Sequence, residues 1–497
     1  MDQFVLAIDQ GTTSSRAIVF DQAGEVRGFG QHPTQQLFPH PGWVNQSADD
    51  IWMTTLTSIH EAIASAGIGA TQLAGIGISN QRETTILWDR ATGRPVAPAI
   101  VWQSRQSAPY VQAIDDRRMS ATYHQITGLV PDAYFSATKI ACLLDDDSEL
   151  RQRAENGEIA FGTVESWLIW NLSGGRAHVT DVANASRTML FNIRSLEWSE
   201  PLLNDLAIPR AILPRPVQNA TPIVDTDSNL FGAAVPIAGV AGDQHAALFG
   251  QGCFAPGQAK NTYGTGSFLL MNTGPNAVPS THGLLTTIAW QIDSAVDYAL
   301  EGAVFVTGSA VQWLRDGLGI IESAGDVESL AATVEDSDGV VFVPALVGLG
   351  APHWDAQARG TLLGLTRGTI KAHIARATLE AIAYQTRDVL DAMAADSHVA
   401  LTELRVDGGA ARNNLLMQIQ ADVLGVPVVR PHNTEVTAAG AAYLAGLAVG
   451  YWPDRETLAA QWQEERRFEP CASGGYRDRG YAQWREAVHR SKGWNRD

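Results

Sequence analysis

A chain of 497 residues exceeds the roughly 100 to 200 residues that one core usually serves, so two or more domains are expected. Its 45% hydrophobic and 18% charged residues exclude a disordered chain. The net charge of −18, from 53 Asp and Glu against 35 Lys and Arg, disfavours long-range attraction to nucleic acid or an anionic membrane, while leaving room for a local basic pocket.

The cysteines, Cys142, Cys253 and Cys471, are odd in number, widely separated and without a CxxC, which reads as free thiols in a reducing compartment. The N-terminal MDQFVLAID has no basic region followed by an apolar stretch and cleavage site, so no secretory signal is read there. The stretches VVFVPALVGLGAP and AAGAAYLAGLAVG fall short of the roughly 20 residues that span a bilayer. A cytoplasmic protein with no integral membrane segment is expected.

In chain order, FVLAIDQGTTSSRAIVFD (residues 4–21) sets two β-rich runs, Phe4 to Ile8 and Ala17 to Phe20, around a loop of Gly, Thr and Ser, which predicts a β-hairpin. Asp9 stands at the end of the first run. It belongs either to an ordinary polar turn or to a site where a carboxylate, amides and hydroxyls hold a metal-bound polyphosphate. Trp52, Leu56, Ile59 and Ile63 predict one face of a helix that Ser47 caps and Gly67 ends. LAGIGIS (73–79), TTILWD (84–89) and the AIVW run around Ile100 read as successive strands.

NQRETT (80–85) places Arg82 beside Glu83. The pair is either a surface ion pair or a guanidinium and carboxylate able to hydrogen-bond several hydroxyls of a small polyol. Trp102, in VWQSR, is placed to cover the apolar face of such a ligand. The longest charge run, Asp145 to Asp147, reads as a solvated helix face. AGVAGDQHAALFGQG (238–252) holds Asp243 and Gln244 among small and apolar residues, where an acid is seldom buried without a reason. Asp243 is either a helix N-cap or a general base for phosphoryl transfer to an alcohol.

KNTYGTGSFLLMN (260–272) is a second Gly, Thr and Ser loop running into a strand, and ELRVDGGAARNNLLMQIQADVLG (403–425) reads as strand, Gly-Gly turn and helix ended by Gly425. The alternation predicts α/β layering. The paired loops suggest a duplicated α/β unit with a cleft between halves and a boundary near residue 248, giving domains 1–247 and 248–497. No GxxxxGK[ST] occurs, nor a GxGxxG between strand and helix, so any nucleotide phosphates must be held by the hairpin loops. Loop one, Asp9 to Arg16, offers a carboxylate, amides, hydroxyls and a cation to a transferring phosphoryl group. Loop two, Asn261 to Ser267, lacks charges, but its glycines let the backbone approach a ligand and Thr265 offers a hydroxyl.

The ordered motifs DQGTTSSR, NQRETT, FGTVESWLIW, NASRTMLFNI, AGDQHAALFGQ, KNTYGTGSF, GLGAPHWD, GLTRG and VDGGAARNN resemble the glycerol kinases of the FGGY carbohydrate kinase family, from about residue 4 to residue 450. The resemblance implies a pair of actin-like, ribonuclease-H-type ATPase domains flanking a central cleft that encloses ATP and glycerol. It implies that Asp243 is the base, that Arg82, Glu83, Tyr134, Asp243 and Gln244 bind glycerol hydroxyls, and that Trp102 and Phe268 lie against its carbons. Asp9 would sit near Mg²⁺, Thr12, Thr13, Ser14 and Arg16 near the phosphates, and Thr265, Gly308, Gln312, Gly409 and Asn413 would complete the nucleotide site. A homodimer or homotetramer is expected.

The chain also departs from the family pattern. Cys142 stands where a tryptophan is usual, although Tyr134, Ser136 and Lys139 fit. DTDSNLFGAAVPIAG (225–239) has neither the Gly-rich, Arg-containing loop that binds a sugar bisphosphate nor a phosphorylatable histidine, and Asn229 aligns with the latter. PCASGGYRDRGY lacks the pattern of members inhibited by a phosphocarrier. The resemblance therefore does not carry these three controls to this chain.

Overall fold

The opening run folds as the hairpin its pattern predicts, but each strand extends past its apolar run. β1 spans Phe4–Gln10 and β2 spans Ser14–Phe20, so Asp9 and Arg16 are cross-strand partners instead of loop residues. A computed structural model describes residues 2–472 and 474–495, so Ser473 of the PCASGGYRDRGY segment lies outside the described residues.

The chain continues through β3 (Val26–Pro33), α1 (Ala48–Ala66), β4 (Leu73–Asn80), α2 (Ser136–Asp146), β5 (Pro236–Gly242) and α3 (Asp243–Gly250). The second half supplies β6 (Ala259–Tyr263), β7 (Ser267–Gly274), β8 (Ala295–Val304), α4 (Gly308–Asp316) and α5 (Lys371–Ser397). It ends with β9 (Leu404–Asp407), α6 (Asn414–Leu424), β10 (Val428–Pro431) and α7 (Val436–Ala448).

These strands form two blocks of one topology. In β3-β2-β1-β4-β5 the hairpin strands are antiparallel, while β4 and β5 add parallel to β1. In β8-β7-β6-β9-β10 the same senses recur in the same order. The blocks share a thirteen-stranded sheet, joined through Leu285–Ile292 and Ala220–Asp225, which pair at Ala220 and Ile292. A repeated topology is what a duplicated α/β unit leaves behind. It also aligns the carboxyl ends of the parallel strands, where ligands of open α/β sheets bind.

α1 begins and ends as predicted. Asp50 N donates to Ser47 Oγ at 3.2 Å, and Gly67 takes a left-handed φ of 68°. Its buried face differs from the expected stripe: Ile51, Thr55, Ser58, Ile59 and Ala62 are buried, while Trp52, Leu56 and Ile63 are half-buried. The cause is β3, whose glycines bring the helix backbone against the sheet. A Cβ on Gly28 would stand 2.2 Å from Ala62 O, and one on Gly30 2.3 Å from Ser58 O. Thr55 and Ser58 are buried because their hydroxyls donate to Ser15 Oγ at 3.2 Å and Ser15 O at 3.0 Å.

The halves meet where α3 crosses α7. A Cβ on Gly440 would stand 1.8 Å from Ala246 O, and one on Gly250 1.9 Å from Val436 O, so the two backbones touch. α3 runs unbroken through residues 247 and 248. The stretch AAGAAYLAGLAVG lies largely in α7, which is buried on nearly all sides against α3, β1, β4 and β5. No helix among the described residues is long and apolar enough to cross a membrane. Cys142, Cys253 and Cys471 are free thiols.

Candidate active site

β4 and β5 run side by side and deliver their following residues to one place. Asn80 pairs with Gly242 in register, so Gln81, Arg82 and Glu83 leave β4 beside the start of α3, where Asp243 stands. Gly242 makes room for this: a Cβ there would stand 2.5 Å from Arg82 Cγ. Asp243 is the first residue of α3, the N-cap position falling to Gly242, and its Oδ1 accepts from Gln244 N at 2.7 Å. The Asp243 side chain is 31% exposed, whereas those of Arg82 and Glu83 are at most 2% exposed.

Arg82 and Glu83 are not a surface ion pair; their closest approach to one another is 3.9 Å. Arg82 Nη1 and Nη2 instead donate to the two oxygens of Glu301, at 2.6 and 2.9 Å, and Arg82 Nε lies 3.3 Å from Asp243 Oδ1. Arg187 joins the cluster, Nε donating to Glu83 Oε1 at 2.7 Å and Nη2 to Glu301 Oε1 at 3.0 Å. Burial opposes ionisation of Glu301, but Arg187 and Arg82 outweigh it and hold the carboxyl down to about 2. Burial raises the Asp243 carboxyl to about 6, with Arg82 pulling the other way.

Glu83 has a left-handed φ of 61°, a conformation costing about 1 to 3 kcal/mol in a non-glycine residue. Its carbonyl is held by α2, where Ser136 Oγ and Lys139 Nζ each donate to it at 3.1 Å. Lys139 is fully buried and also donates to Tyr134 O at 2.5 Å, and burial lowers its ammonium to about 7. Below this lies a buried polar layer. Asn80 Nδ2 donates to Glu165 Oε2 at 3.0 Å and Asn184 Nδ2 to Asn80 Oδ1 at 3.0 Å, so FGTVES and NASRT support NQRET from beneath.

Aromatic rings gather beside the same cluster. Trp102 meets Tyr134 and Phe268 edge to face, with ring centroids 5.6 and 6.0 Å apart, and Tyr134 OH lies 3.4 Å from Arg82 Nη2. Trp102 Nε1 donates to Thr12 Oγ1 at 2.9 Å, linking this wall to loop one. Donors, acceptors and ring faces together suit a short chain of hydroxylated carbons.

Loop one is a tight turn, Gly11 N donating to Ser14 O at 2.9 Å, with Thr12 O fixed by Gln46 Nε2 at 2.6 Å. Loop two is tied to the start of α4: Gly308 N donates to Gly264 O at 3.0 Å and Ser309 N to Thr265 O at 3.1 Å. Thr13, Thr265, Gln312 and Gly409 are exposed and Thr12, Ser14, Gly308 and Asn413 half-buried; Asn413 Oδ1 is occupied as the N-cap of α6, accepting from Leu416 N at 2.8 Å. The glycines divide into two kinds. Gly266, Gly308 and Gly408 are pressed on protein, with a Cβ meeting Val304 O at 2.3 Å, Gly264 O at 2.6 Å and Tyr263 O at 2.5 Å. Gly11 and Gly264 would give a Cβ only ordinary contacts, at 3.4 and 3.6 Å, and Gly409 none within 4 Å. The fold does not require glycine at these three, so their bare backbone fits a ligand approaching closely, as nucleotide phosphates do.

Asp9 is buried, ion-paired with Arg16, whose other Nη donates to Glu435 Oε2 at 2.8 Å at the head of α7. Asp9 chiefly raises the Arg16 guanidinium. Among the described residues no group of three or more His, Cys, Asp and Glu is disposed to hold a metal. A single carboxylate beside a phosphate loop still fits Mg²⁺, which usually takes one or two carboxylates and fills its shell with water and phosphate oxygens.

Sequence reasoning missed Glu301, Arg187, Lys260 and Glu435. The available signal for two of them was a charged residue in a buried strand: Glu301 interrupts YALEGAVFV and Lys260 lies within β6, and both are fully buried. A cavity of about 690 Å³, lined by Asp2, Asp21, Arg27 and Tyr451, lies at the start of β1, away from all these groups.

Residues 4–250 match the N-terminal domain, and residues 259–449 the C-terminal domain, of the FGGY family of carbohydrate kinases. A glycerol kinase of Deinococcus radiodurans is 58% identical over 496 residues, covering 100% of this chain and 99% of that protein. Glycerol kinase 2 of Thermotoga maritima is 57% identical over 494 residues, covering 99% and 100%. The solved structure of Plasmodium falciparum glycerol kinase with ADP superposes with a TM-score of 0.93 at 34% identity, covering 99% of this chain and 98% of that one. A xylulose kinase of Lactobacillus acidophilus shares the fold, with a TM-score of 0.87 at 22% identity over 98% of this chain and 97% of that one. The architecture is thus the expected one, α/β with two actin-like ATPase bodies. With both domain patterns matched in order and full-length relatives identical at more than half their positions, the chain belongs to the FGGY family of carbohydrate kinases.

Proposed function

We propose that this protein transfers the γ-phosphoryl group of ATP to a terminal hydroxyl of glycerol, giving sn-glycerol 3-phosphate and ADP, in glycerol catabolism. In this reading residues 1–247 carry the polyol site and loop one, and residues 248–497 carry loop two and the adenosine site. Arg82 and Gln244 donate to glycerol oxygens, Glu83 accepts from a hydroxyl, Tyr134 meets a hydroxyl through its OH, and Trp102 and Phe268 exclude water from its carbons. Asp243 accepts the proton of the attacking hydroxyl as the new O–P bond forms and the bond to the ADP oxygen breaks. Thr12, Thr13, Ser14 and Arg16 face the phosphates, and Thr265, Gly308, Gln312, Gly409 and Asn413 complete the nucleotide site. Asp9 would hold Mg²⁺, which supplies charge neutralisation on the phosphate oxygens.

The observation that carries this reading is Asp243. It is the one part-exposed carboxylate in a cluster whose other acids are buried and paired with arginines, Glu301 through both oxygens and Glu83 through Oε1. Coupled ADP release with and without glycerol tests it: release that requires glycerol is expected, and ATP turnover indifferent to any polyol would overturn it. A panel with erythritol and xylulose sets the substrate, since a higher kcat/KM for either would displace glycerol. Light scattering checks the expected homodimer or homotetramer.

A further inference from the structure

Two buried charges of opposite sign lie in one row of the C-terminal sheet. Lys260 of β6 pairs with Leu270 of β7, and Leu270 pairs with Glu301 of β8, so the three side chains share a face. Lys260 and Glu301 are both fully buried, about 10 Å apart across the intervening strand. Neither belongs to the groups assigned to the substrate, yet each ends on one of them. Lys260 Nζ donates to Gln244 Oε1, and also to Thr262 Oγ1 at 2.9 Å and Phe268 O at 3.3 Å. Glu301 accepts from both Nη atoms of Arg82.

A primary amide has one acceptor end and one donor end. With an ammonium on its oxygen, Gln244 has only its NH₂ group left for a ligand. A guanidinium bound through both Nη atoms is likewise fixed in plane, with its Nε held 3.3 Å from Asp243 Oδ1. We infer that Lys260 and Glu301 are positioning residues of the polyol site: Lys260 sets the hydrogen-bond polarity of Gln244, forcing that amide to act as a donor, and Glu301 fixes the orientation of Arg82, which can only donate, leaving Asp243 and Glu83 as the acceptors. The inference rests on the glycerol reading and deepens it. The half that carries loop two thereby orders the substrate groups of the other half, and a hydroxyl meeting Gln244 must present its oxygen, with its proton turned towards a carboxylate.

The test compares the full-length parent with Lys260→Met and Glu301→Gln, using glycerol, propane-1,2-diol and propane-1,3-diol with ATP. Methionine keeps the bulk of Lys260 without a donor, so Gln244 is free to flip. Lys260→Met is expected to raise KM for glycerol tenfold or more with kcat and KM for ATP little changed. The penalty in kcat/KM, or in the inhibition constant of a diol that is not turned over, should shrink towards unity for the diol lacking the hydroxyl that Gln244 meets. Equal penalties on all three polyols, or an unchanged KM for glycerol, would overturn the inference. In Glu301→Gln the Arg82 charge acts on Asp243 without its counter-ion, so the acid limb of the pH profile should move to lower pH; an unmoved limb in a folded variant also overturns it, and if that variant fails to fold, Lys260→Met decides alone. A parent that ignores glycerol overturns the functional reading together with the inference, whereas an active parent with indifferent variants overturns the inference alone.

Discussion

Arg82 Nε lies 3.3 Å from Asp243 Oδ1, so the carboxylate that opens to solvent has its counter-charge on the protein side. The charged groups that act on Asp243 are Arg82 and Glu83 after β4 and Lys260 on β6, while Glu301 on β8 and Tyr134 before α2 act on Arg82 behind it. Burial is the largest influence and raises its carboxyl to about 6. As a base it must be ionised, so kcat/KM for glycerol is expected to fall about tenfold per pH unit below about 6 and to level off above it. Asp243→Asn should remove that limb and lower kcat by roughly 10² to 10⁴ while nucleotide still binds. Near-normal turnover in the variant would exclude Asp243 as the base.

The same shift has a consequence for stability. The folded carboxyl holds its proton to about pH 6, whereas an unfolded Asp releases it near its ordinary 3.8. Between these values the folded state binds more protons, so Asp243 lowers stability as pH rises through that window and costs its full amount above it. Asp243→Asn should therefore melt higher than the parent at pH 8 and close to it at pH 4. An equal difference at both pH values would show that burial is not straining this carboxyl.

Gly409 separates a demand of the fold from a demand of a ligand. A side chain there meets nothing within 4 Å, whereas Gly408 beside it takes a left-handed φ of 87° and lies against Tyr263. Gly409→Val is expected to leave the thermal transition unchanged and to raise KM for ATP about tenfold or more. An unaltered KM for ATP would mean that no nucleotide passes over this backbone.

Arg16 is shared between Asp9 and Glu435, and the two acids predict effects of opposite sign. Asp9→Ala removes the carboxylate assigned to Mg²⁺ and should slow turnover by about 10- to 100-fold, the worth of a charge-assisted contact, and shift the Mg²⁺ concentration needed for half-maximal rate. Glu435→Gln frees Arg16 from a competitor of the phosphates, so KM for ATP should fall about two- to fivefold at low salt and less at high salt. An Asp9→Ala enzyme with normal rate and Mg²⁺ dependence, or a weaker affinity for ATP in Glu435→Gln, would contradict this division of roles.

What could be read in the sequence was what local chemistry decides. The hairpin around Asp9, the Ser47 cap, the ends at Gly67 and Gly425, and the candidacy of Arg82, Glu83 and Asp243 depend on neighbours in the chain. What could not be read is set by distant partners. Arg82 meets Glu301 across 219 positions and Arg16 meets Glu435 across 419, and no spacing rule links them. The buried face of α1 was misjudged for the same reason, because Gly28 and Gly30 on another element decide which side of the helix touches the sheet. Ser136 and Lys139 fitted the family pattern, but their work, holding the Glu83 carbonyl, appears only once α2 is placed.

The crossing of α3 and α7 gives a test of how the halves are set against each other. Gly440 allows contact so close that a methyl group would fall 1.8 Å from Ala246 O and 3.0 Å from Gly250 N, and both groups are backbone. Neither can turn aside as a side chain would, so Gly440→Ala must push the helices apart. Overpacking of this kind costs about 1 to 3 kcal/mol, and the displacement is carried along α3 to Asp243 at its first residue. The variant should therefore lose both stability and kcat, with a misplacement near 1 Å enough to cost up to about 10²-fold in rate. Ala445→Gly on the same helix removes a methyl group without separating the backbones, so it should lose stability while keeping more of its kcat. If Gly440→Ala melted lower yet kept the parent kcat, α3 would not be what holds the base in place.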